Sequence, residues 1–280
     1  MKVLISNDDG IHAPGIHALA LEFSKFAEVT IVAPERERST TGHYLTLHKP
    51  LRLHKFNKGI YSLSGGPADC ILFATHELFK GKNPDLVVSG INNGANLGQD
   101  VFYSGTASAA REGANLGIPA MAVSLSLDKL KKGGVKHFNA AAHAARVVLQ
   151  QVLPVLHGKK ESPEKMLRSW PKNMMLNVNV PNLASKQFKG YMPAVQGFRI
   201  YGTNIVKRMD ARVRDYYWLG GNYEGFAPIE DSDCVMVDKG YVSITPMQID
   251  TTMKNIYHSL QNAYTVGDME GAGKKRKKKV

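Results

Sequence analysis

With 280 residues, 43% of them hydrophobic, the chain can bury a sizeable core, and its N-terminal apolar runs VLIS and VTIVA stop well short of the roughly 20 residues that cross a bilayer. No membrane span, membrane partner or secretory signal is expected, which leaves a soluble globular protein. The formal charge of +12 would ordinarily raise nucleic acid as a partner, but six of the cations, Lys274, Lys275, Arg276, Lys277, Lys278 and Lys279, crowd the closing GKKRKKKV, so half the excess reads as a disordered, solvated basic tail over 266–280.

The first half of the chain repeats one theme. KVLIS reads as a strand apolar on both faces, Gly15 to Phe26 puts Ile16, Leu19, Ala20 and Phe23 on one side of a helix, and EVTIVAP reads as the next strand. This is a βαβ unit. The alternating stretches YLTLHKPLRLHKF and IYSLSG follow, then a predicted helix from Pro67 to Phe79, the strand DLVVSG, a helix from Thr106 to Leu116 and the strand AMAVS. A long Ala-rich helix from Lys136 to Leu156 and the strand MLNVNVP, which would close the sheet, complete this part. Strands that are apolar throughout predict an α/β fold, a Rossmann-like, mostly parallel sheet sandwiched by helices. From Tyr191 the texture changes to aromatics, glycines and short alternating runs such as CVMVDKGYVSITP, which predict a C-terminal subdomain of β-hairpins. The expected division is a catalytic domain over 1–190, a hairpin subdomain over 191–265 and the tail. Cys70 and Cys234, far apart and lacking metal-ligand or redox spacing, read as reduced thiols of a cytoplasmic protein.

Ligands bind open parallel sheets beyond the carboxyl ends of the strands. Four polar loops fall there: SNDDGIHAPG, APERERSTTGH, SGINNGANLGQDVFYSGT and the loop after AMAVS. Right-handed crossovers would open all four on one edge. In the first loop Asp8 and Asp9 repel each other and lose hydration, so they call for a cation, and hard oxygen donors select Mg²⁺, Mn²⁺ or Ca²⁺. An Asp-Asp pair alone is as readily turn chemistry or a helix cap, but this one follows an apolar strand directly, with Gly10 and Gly15 letting the backbone come close. In the third loop Asn92, Asn93 and Asn96 offer neutral oxygen ligands and amide donors. Ser104, Gly105 and Thr106 open an Ala-rich helix, where N–H groups and hydroxyls make an anion cradle as well as a cap. Metal on one side and an anion cradle on the other is the layout for phosphoryl transfer or hydrolysis. No G-x-G-x-x-G follows the first strand, which removes a dinucleotide-binding protein from consideration.

Taken together, these stretches resemble the SurE (survival protein E) family, metal-dependent 5′-nucleotidases or nucleoside monophosphate phosphatases. The resemblance rests on NDDGIHAPG, IVAPERERSTTGH, GGPADC where the family commonly has GTPADC, VVSGINNGANLGQDVFYSGTASAAREGA, NVNVP and GYVSITP, spread from residue 5 to residue 246. HGKKESPEKMLRSWPKN and the lysine-rich tail match no family motif. The resemblance implies that Asp8, Asp9, the Ser39 hydroxyl and Asn92 bind one divalent cation per subunit, Mg²⁺ or Mn²⁺, with Ca²⁺ admissible in crystals. It implies that Asn96, Ser104, Gly105 and Thr106 hold the phosphate of a nucleoside monophosphate, with 3′-nucleotides and polyphosphate allowed by the family. It also implies a homodimer or tetramer in which the hairpin subdomain reaches a neighbour.

Two routes suit the catalytic pair Asp8 and Asp9: in-line attack by water with Asp9 or a neighbour accepting the proton, or a phospho-aspartyl intermediate. His12 and His43 lie in the site loops, where an acid role and a structural hydrogen bond compete. Arg36 and Arg38 flank the Ser39 loop, where neutralising a substrate phosphate competes with solvated surface charge, the latter favoured for at least one of them; Arg111 reads as a packing or salt-bridge cation, and Tyr44 and the Tyr216-Tyr217-Trp218 cluster as packing more than base stacking. The alternative function is a non-catalytic nucleotide- or nucleic-acid-binding protein using the basic tail.

Overall fold

The computed structural model describes residues 1–80 and 82–263; the expected basic tail at 266–280 lies outside them. In chain order its first part comprises β1 (Lys2–Ser6), α1 (Pro14–Phe23), β2 (Glu28–Pro34), β3 (Leu53–Asn57), β4 (Ile60–Leu63), α2 (Pro67–Phe73, continued by a π-helical turn Ala74–Leu78) and β5 (Leu86–Asn93). Next come α3 (Gly105–Asn115), β6 (Ala120–Ser126), α4 (Phe138–His157), α5 (Pro163–Leu167) and β7 (Met174–Pro181). Six strands in the order β4-β2-β1-β5-β6-β7 run parallel, with β3 antiparallel at one edge.

The uninterrupted apolar strands follow from burial on both faces. Val3 and Ile5 point into one layer with Ile16 and Phe23 of α1 and Val148 of α4, whereas Leu4 points into the other with Ile71 of α2 and Ala107 and Ala110 of α3. Every one of these residues is fully buried. The expected helices and strands up to Pro181 form, each within a few residues of its predicted bounds.

Beyond β7 the chain contains β8 (Tyr191–Pro193), β9 (Arg199–Tyr201), β10 (Ile205–Met209), β11 (Asp215–Leu219), β12 (Tyr223–Phe226), α6 (Asp233–Asp238) and β13 (Val242–Gln248). Antiparallel hairpins do form here, β10 with β11 and β9 with β12. Two departures from expectation concern the rest. β7 does not close the sheet: β13 pairs antiparallel to it, with Ser243 opposite Asn179, and β8 pairs parallel to β13. The GYVSITP run is therefore a neighbour of β7 in the nine-stranded main sheet and not a hairpin arm, and residues 191–193 and 242–248 belong to that sheet instead of an appendage. Its alternating pattern announces a strand, but the partner lies more than sixty residues back, beyond the reach of local patterning. The described residues form two compact units, one ending at Ile249 and one beginning at Asp250. The second contains α7 (Lys254–Ala263). No described helix is long and apolar enough to cross a membrane.

One ionic contact ties the helices of the first layer together. Glu22 on α1 accepts from Arg146 Nε on α4 at 2.6 Å and from Lys25. Burial pushes the Glu22 carboxyl up, but the hydrogen bonds from Lys25 and Arg146 outweigh it and hold the group below its ordinary value. A depressed carboxyl stabilises the fold above its unfolded-state pKa and loses that contribution as pH falls through the folded one. Glu22→Gln should therefore lower the urea midpoint relative to the parent at neutral pH, with the difference shrinking below about pH 4; a difference constant with pH would contradict the assignment.

Candidate active site

β1 stops at Ser6 because the chain turns at Asn7, whose amide donates to Gly10 O at 3.0 Å, and this turn delivers Asp8 and Asp9 to the carboxyl edge of the sheet. The loop after β2 is fastened to it: Ile11 N donates to Pro34 O at 2.9 Å and Arg38 N to Asp8 O at 2.7 Å. Two glycines permit the close approach of flanking helices. A Cβ on Gly15, in the first turn of α1, would lie 2.1 Å from Ile91 O of β5, and one on Gly105, the first residue of α3, would lie 2.7 Å from Asp8 Cβ.

The site residues meet through Thr106. Its hydroxyl donates to Asp8 Oδ1 and lies 3.3 Å from Asn92 Oδ1, while its backbone N–H also serves Asp8. Asp9 Oδ2 accepts from Asn93 N at 3.0 Å. Asp8 is only 4% exposed, and burial together with the Asp9 charge pushes its carboxyl up to about 6 despite the Thr106 bond. Asp9 is raised as well, by burial first and by Glu37, with the Asn93 N–H opposing. Among the described residues no group of three or more His, Cys, Asp or Glu side chains is arranged to hold a metal. The donor set is thus two under-compensated carboxylates with neutral oxygens from Asn92 and Thr106, and buried Asn7 Oδ1 beside them has no hydrogen-bond partner among the described residues. Such donors suit a hard divalent cation that keeps open positions, and do not suit a thiolate- or imidazole-seeking one.

The remaining sequence-predicted residues fall into two groups. Ser104 caps α3, accepting from Ala107 N at 2.9 Å, and leaves the first-turn amides of the helix at the site edge. Asn96 sits in a buried polar hub, its amide donating to Ser124 Oγ at 2.8 Å and its carbonyl accepting from Asn177 and Asn179. Ser39 is not brought to the carboxylates: it is exposed, and its hydroxyl donates to Glu37 Oε1 at 2.6 Å. Thr106, expected at the substrate phosphate, is a partner of Asp8. His43 is tied to Glu112 of α3 at 2.7 Å, which holds the Glu112 carboxyl below its ordinary value, and His12 stacks edge-on against Phe56. Arg111 lies over the Phe102 ring, and Tyr44 packs where a Gly66 side chain would be.

The family model described as survival protein SurE matches residues 3–203. The chain belongs to the SurE family. Proteins called 5′-nucleotidase SurE from Geobacter sulfurreducens and Vibrio campbellii are each 44% identical to it over 252 residues, which is 90% of this chain and 89% and 90% of theirs. The crystal structure of the SurE protein from Aquifex aeolicus matches with a TM-score of 0.78 at 34% identity, over 94% of this chain and 99% of that one.

Sequence reading missed the residues that shape the loop between Asn96 and Ser104 in this SurE chain. Asp233 of α6 accepts from Gly98 N and Gly197 N, both at 2.9 Å, and the Gln99 side chain exchanges two hydrogen bonds with the Arg199 backbone. Nothing local marks these partners. Asn177 and Asn179 did carry a signal: two amides at i and i+2 in an otherwise apolar strand share one face and need a buried partner. The clearest consequence of the site's packing concerns Gly105. Gly105→Ala should force α3 away from Asp8 and weaken binding of a divalent cation by roughly tenfold or more, read by calorimetry, while far-UV circular dichroism stays native.

Proposed function

We propose that this SurE-family chain is a divalent-metal-dependent phosphomonoesterase, a 5′-nucleotidase that hydrolyses nucleoside 5′-monophosphates to nucleoside and phosphate. The observation that carries the reading is the junction of a buried carboxylate pair with a helix N-terminus, made through Gly105 and Thr106. The relatives called 5′-nucleotidase SurE support the same reaction.

In this reading Asp8, Asp9 and Asn92 would hold one Mg²⁺ or Mn²⁺, and Ser39, bonded to Glu37 here, would be the fourth protein ligand. The bound ion supplies Lewis acidity toward a phosphoryl oxygen and offsets its charge. The first turn of α3, with Ser104, Gly105 and Thr106, receives the phosphate, since the positive end of the helix dipole and the hydroxyls beside it favour an anion. Asn96 orients from its hub. Asp9, the more accessible carboxylate and one with a raised pKa, accepts the proton of the attacking water. Asp8 positions: its burial and its Thr106 bond disfavour the freedom a nucleophile needs, so direct water attack is preferred over a phospho-aspartyl route. The buried thiols Cys70 and Cys234 accord with a reducing, cytoplasmic location.

Self-association fits the hairpins. Ile205, Val213, Trp218 and Leu219 are all at least 62% exposed on β10, β11 and their turn, more apolar surface than a lone hairpin usually shows to water. We take this as the contact of a homodimer or tetramer, and a monomeric mass by light scattering would overturn it.

The decisive assay is phosphate release from nucleoside 5′-monophosphates after chelation and again with Mg²⁺ or Mn²⁺. Added metal should restore release, and Asp8→Ala and Asp9→Ala should each lose on the order of 100-fold or more in kcat. Deletion of Gly273 to Val280 should cost little turnover; abolished function with that deletion alone would favour the nucleic-acid-binding alternative instead.

A further inference from the structure

The cavity of about 810 Å³ that opens beyond β6 and β7, with Tyr223 and Phe226 on one wall, shares the sheet edge with the carboxylates and adjoins the site already described. The far flank of the sheet carries a feature with no part in it. Between Glu37 and Asp69 the chain contains no carboxylate, yet it holds Arg38, Lys49, Arg52, Lys55 and Lys58. Among the described residues none of these cations lies within ion-pair distance of a carboxylate, whereas Lys129, Arg146, Lys159 and Arg199 each have one at 3.0 Å or less. Lys49, Arg52, Lys55 and Lys58 are all exposed, on β3 at the edge of the sheet or in the turns that flank it. Aromatic rings stand among them. The ladder between β3 and β4 is irregular between Lys55 and Asn57, which leaves Phe56 out of register and 41% exposed, with the His54 ring at 4.6 Å and the His12 ring at 5.5 Å, both edge-on.

We infer that β3 and its flanking turns are a docking surface for single-stranded nucleic acid, and that the phosphomonoesterase proposed above, on which this inference rests, also removes the terminal 5′-phosphate of an oligonucleotide held there. Charge and chemistry are the first argument. Exposed cations follow a phosphate backbone whatever its sequence, and exposed rings supply faces on which successive bases stack. Lysines on an edge strand also discourage pairing with another strand, but that purpose calls neither for exposed rings nor for the removal of every acid from residues 38–68.

Continuity with the site is the second. Arg38 N donates to Asp8 O at 2.7 Å, the Arg38 guanidinium reaches Ser64 O at 3.4 Å, and Ser64 exchanges hydrogen bonds with the Arg52 backbone at 2.8 and 3.0 Å. His12 belongs to the loop that presents Asp8 and Asp9, so the group of rings begins in the same turn as the carboxylate pair. A strand lying along β3 therefore ends where the phosphate is handled. The step is that of the mononucleotide reaction: the water oxygen bonds to phosphorus, the bond from phosphorus to the terminal 5′ oxygen breaks, and the proton that the water gives up is balanced by the one this oxygen takes as a hydroxyl.

The test compares AMP with 5′-phosphorylated octaadenylate as substrates of the full chain, with Mg²⁺ or Mn²⁺. Arg52, Lys55 and Phe56 are exposed, so Arg52→Glu/Lys55→Glu and Phe56→Ala leave the core intact. Each should lower kcat/KM for the octamer roughly tenfold while AMP stays within about twofold of the parent, and the charge reversal should also flatten the salt dependence of the octamer's KM. An octamer rate indifferent to both variants, or AMP falling in parallel, would overturn the assignment. A loss confined to the charge reversal and shared by inorganic polyphosphate also overturns it, since no base is then being held. Absence of phosphate release from AMP with either metal would overturn the hydrolase reading instead, and fluorescence anisotropy of labelled octaadenylate in chelator then decides the surface alone. Binding weakened roughly tenfold by the same variants sustains it, whereas no binding up to about 0.1 mM, or binding lost only on deletion of Gly273 to Val280, overturns it.

Discussion

Two adjacent carboxylates withdrawn from water are an electrostatic burden that the whole carboxyl edge of this sheet is built to carry. Asp8 is nearly buried and its charge is opposed by both desolvation and Asp9, yet only a hydroxyl and backbone amides answer it. A lysine or arginine in contact would have neutralised the pair and left nothing for a cation or a phosphate to do. The protein instead brings up neutral donors from two elements, Thr106 at the start of α3 and the Asn93 amide at the end of β5, while the Arg38 amide after β2 fastens the Asp8 backbone carbonyl. Small side chains make that convergence feasible, since glycine at 15 and 105 lets two helices start against strand ends.

Much of this edge was readable from the chain itself. Asp8 and Asp9 announce themselves because they interrupt an apolar strand, and the parallel sheet because its strands lack a polar face. The roles of individual donors were less legible. Thr106 looked like a phosphate ligand because helix starts bind anions, but a hydroxyl at that position serves whichever acceptor the tertiary fold brings nearest, and Gly105 brings Asp8. Ser39 illustrates the converse: motif position places it beside the anchor of Arg38, whereas a neighbouring carboxylate, Glu37, takes its hydroxyl. β13 escaped recognition as a sheet member because pairing with β7 is a long-range choice that alternation cannot specify.

The second half of the chain supplies structure to the first through a buried guanidinium. Arg199 is 5% exposed, paired with Asp128 at 3.0 Å and Asp100 at 3.4 Å, and stacked over the Tyr223 ring at 4.1 Å. Burial disfavours its charge, but the two carboxylates and Tyr201 outweigh that and raise its pKa, while burial and Asp100 push Tyr201 up in turn. Breaking such a cluster at one member strands a buried charge, so β9, β12 and the turn at 98–102 keep a common geometry. The cavity beyond β6 and β7 inherits its aromatic wall from the same arrangement.

Asp233 carries an implication for how the enzyme comes into being. It fixes the amides of Gly98 and Gly197 from a position 135 residues after the first of them. A nascent chain that has emerged only as far as β7 already holds both aspartates, the asparagines and the start of α3, but not the acceptor that shapes the loop joining them. Synthesis therefore imposes an order in time: the chemistry is encoded early, and α6, translated later, completes it.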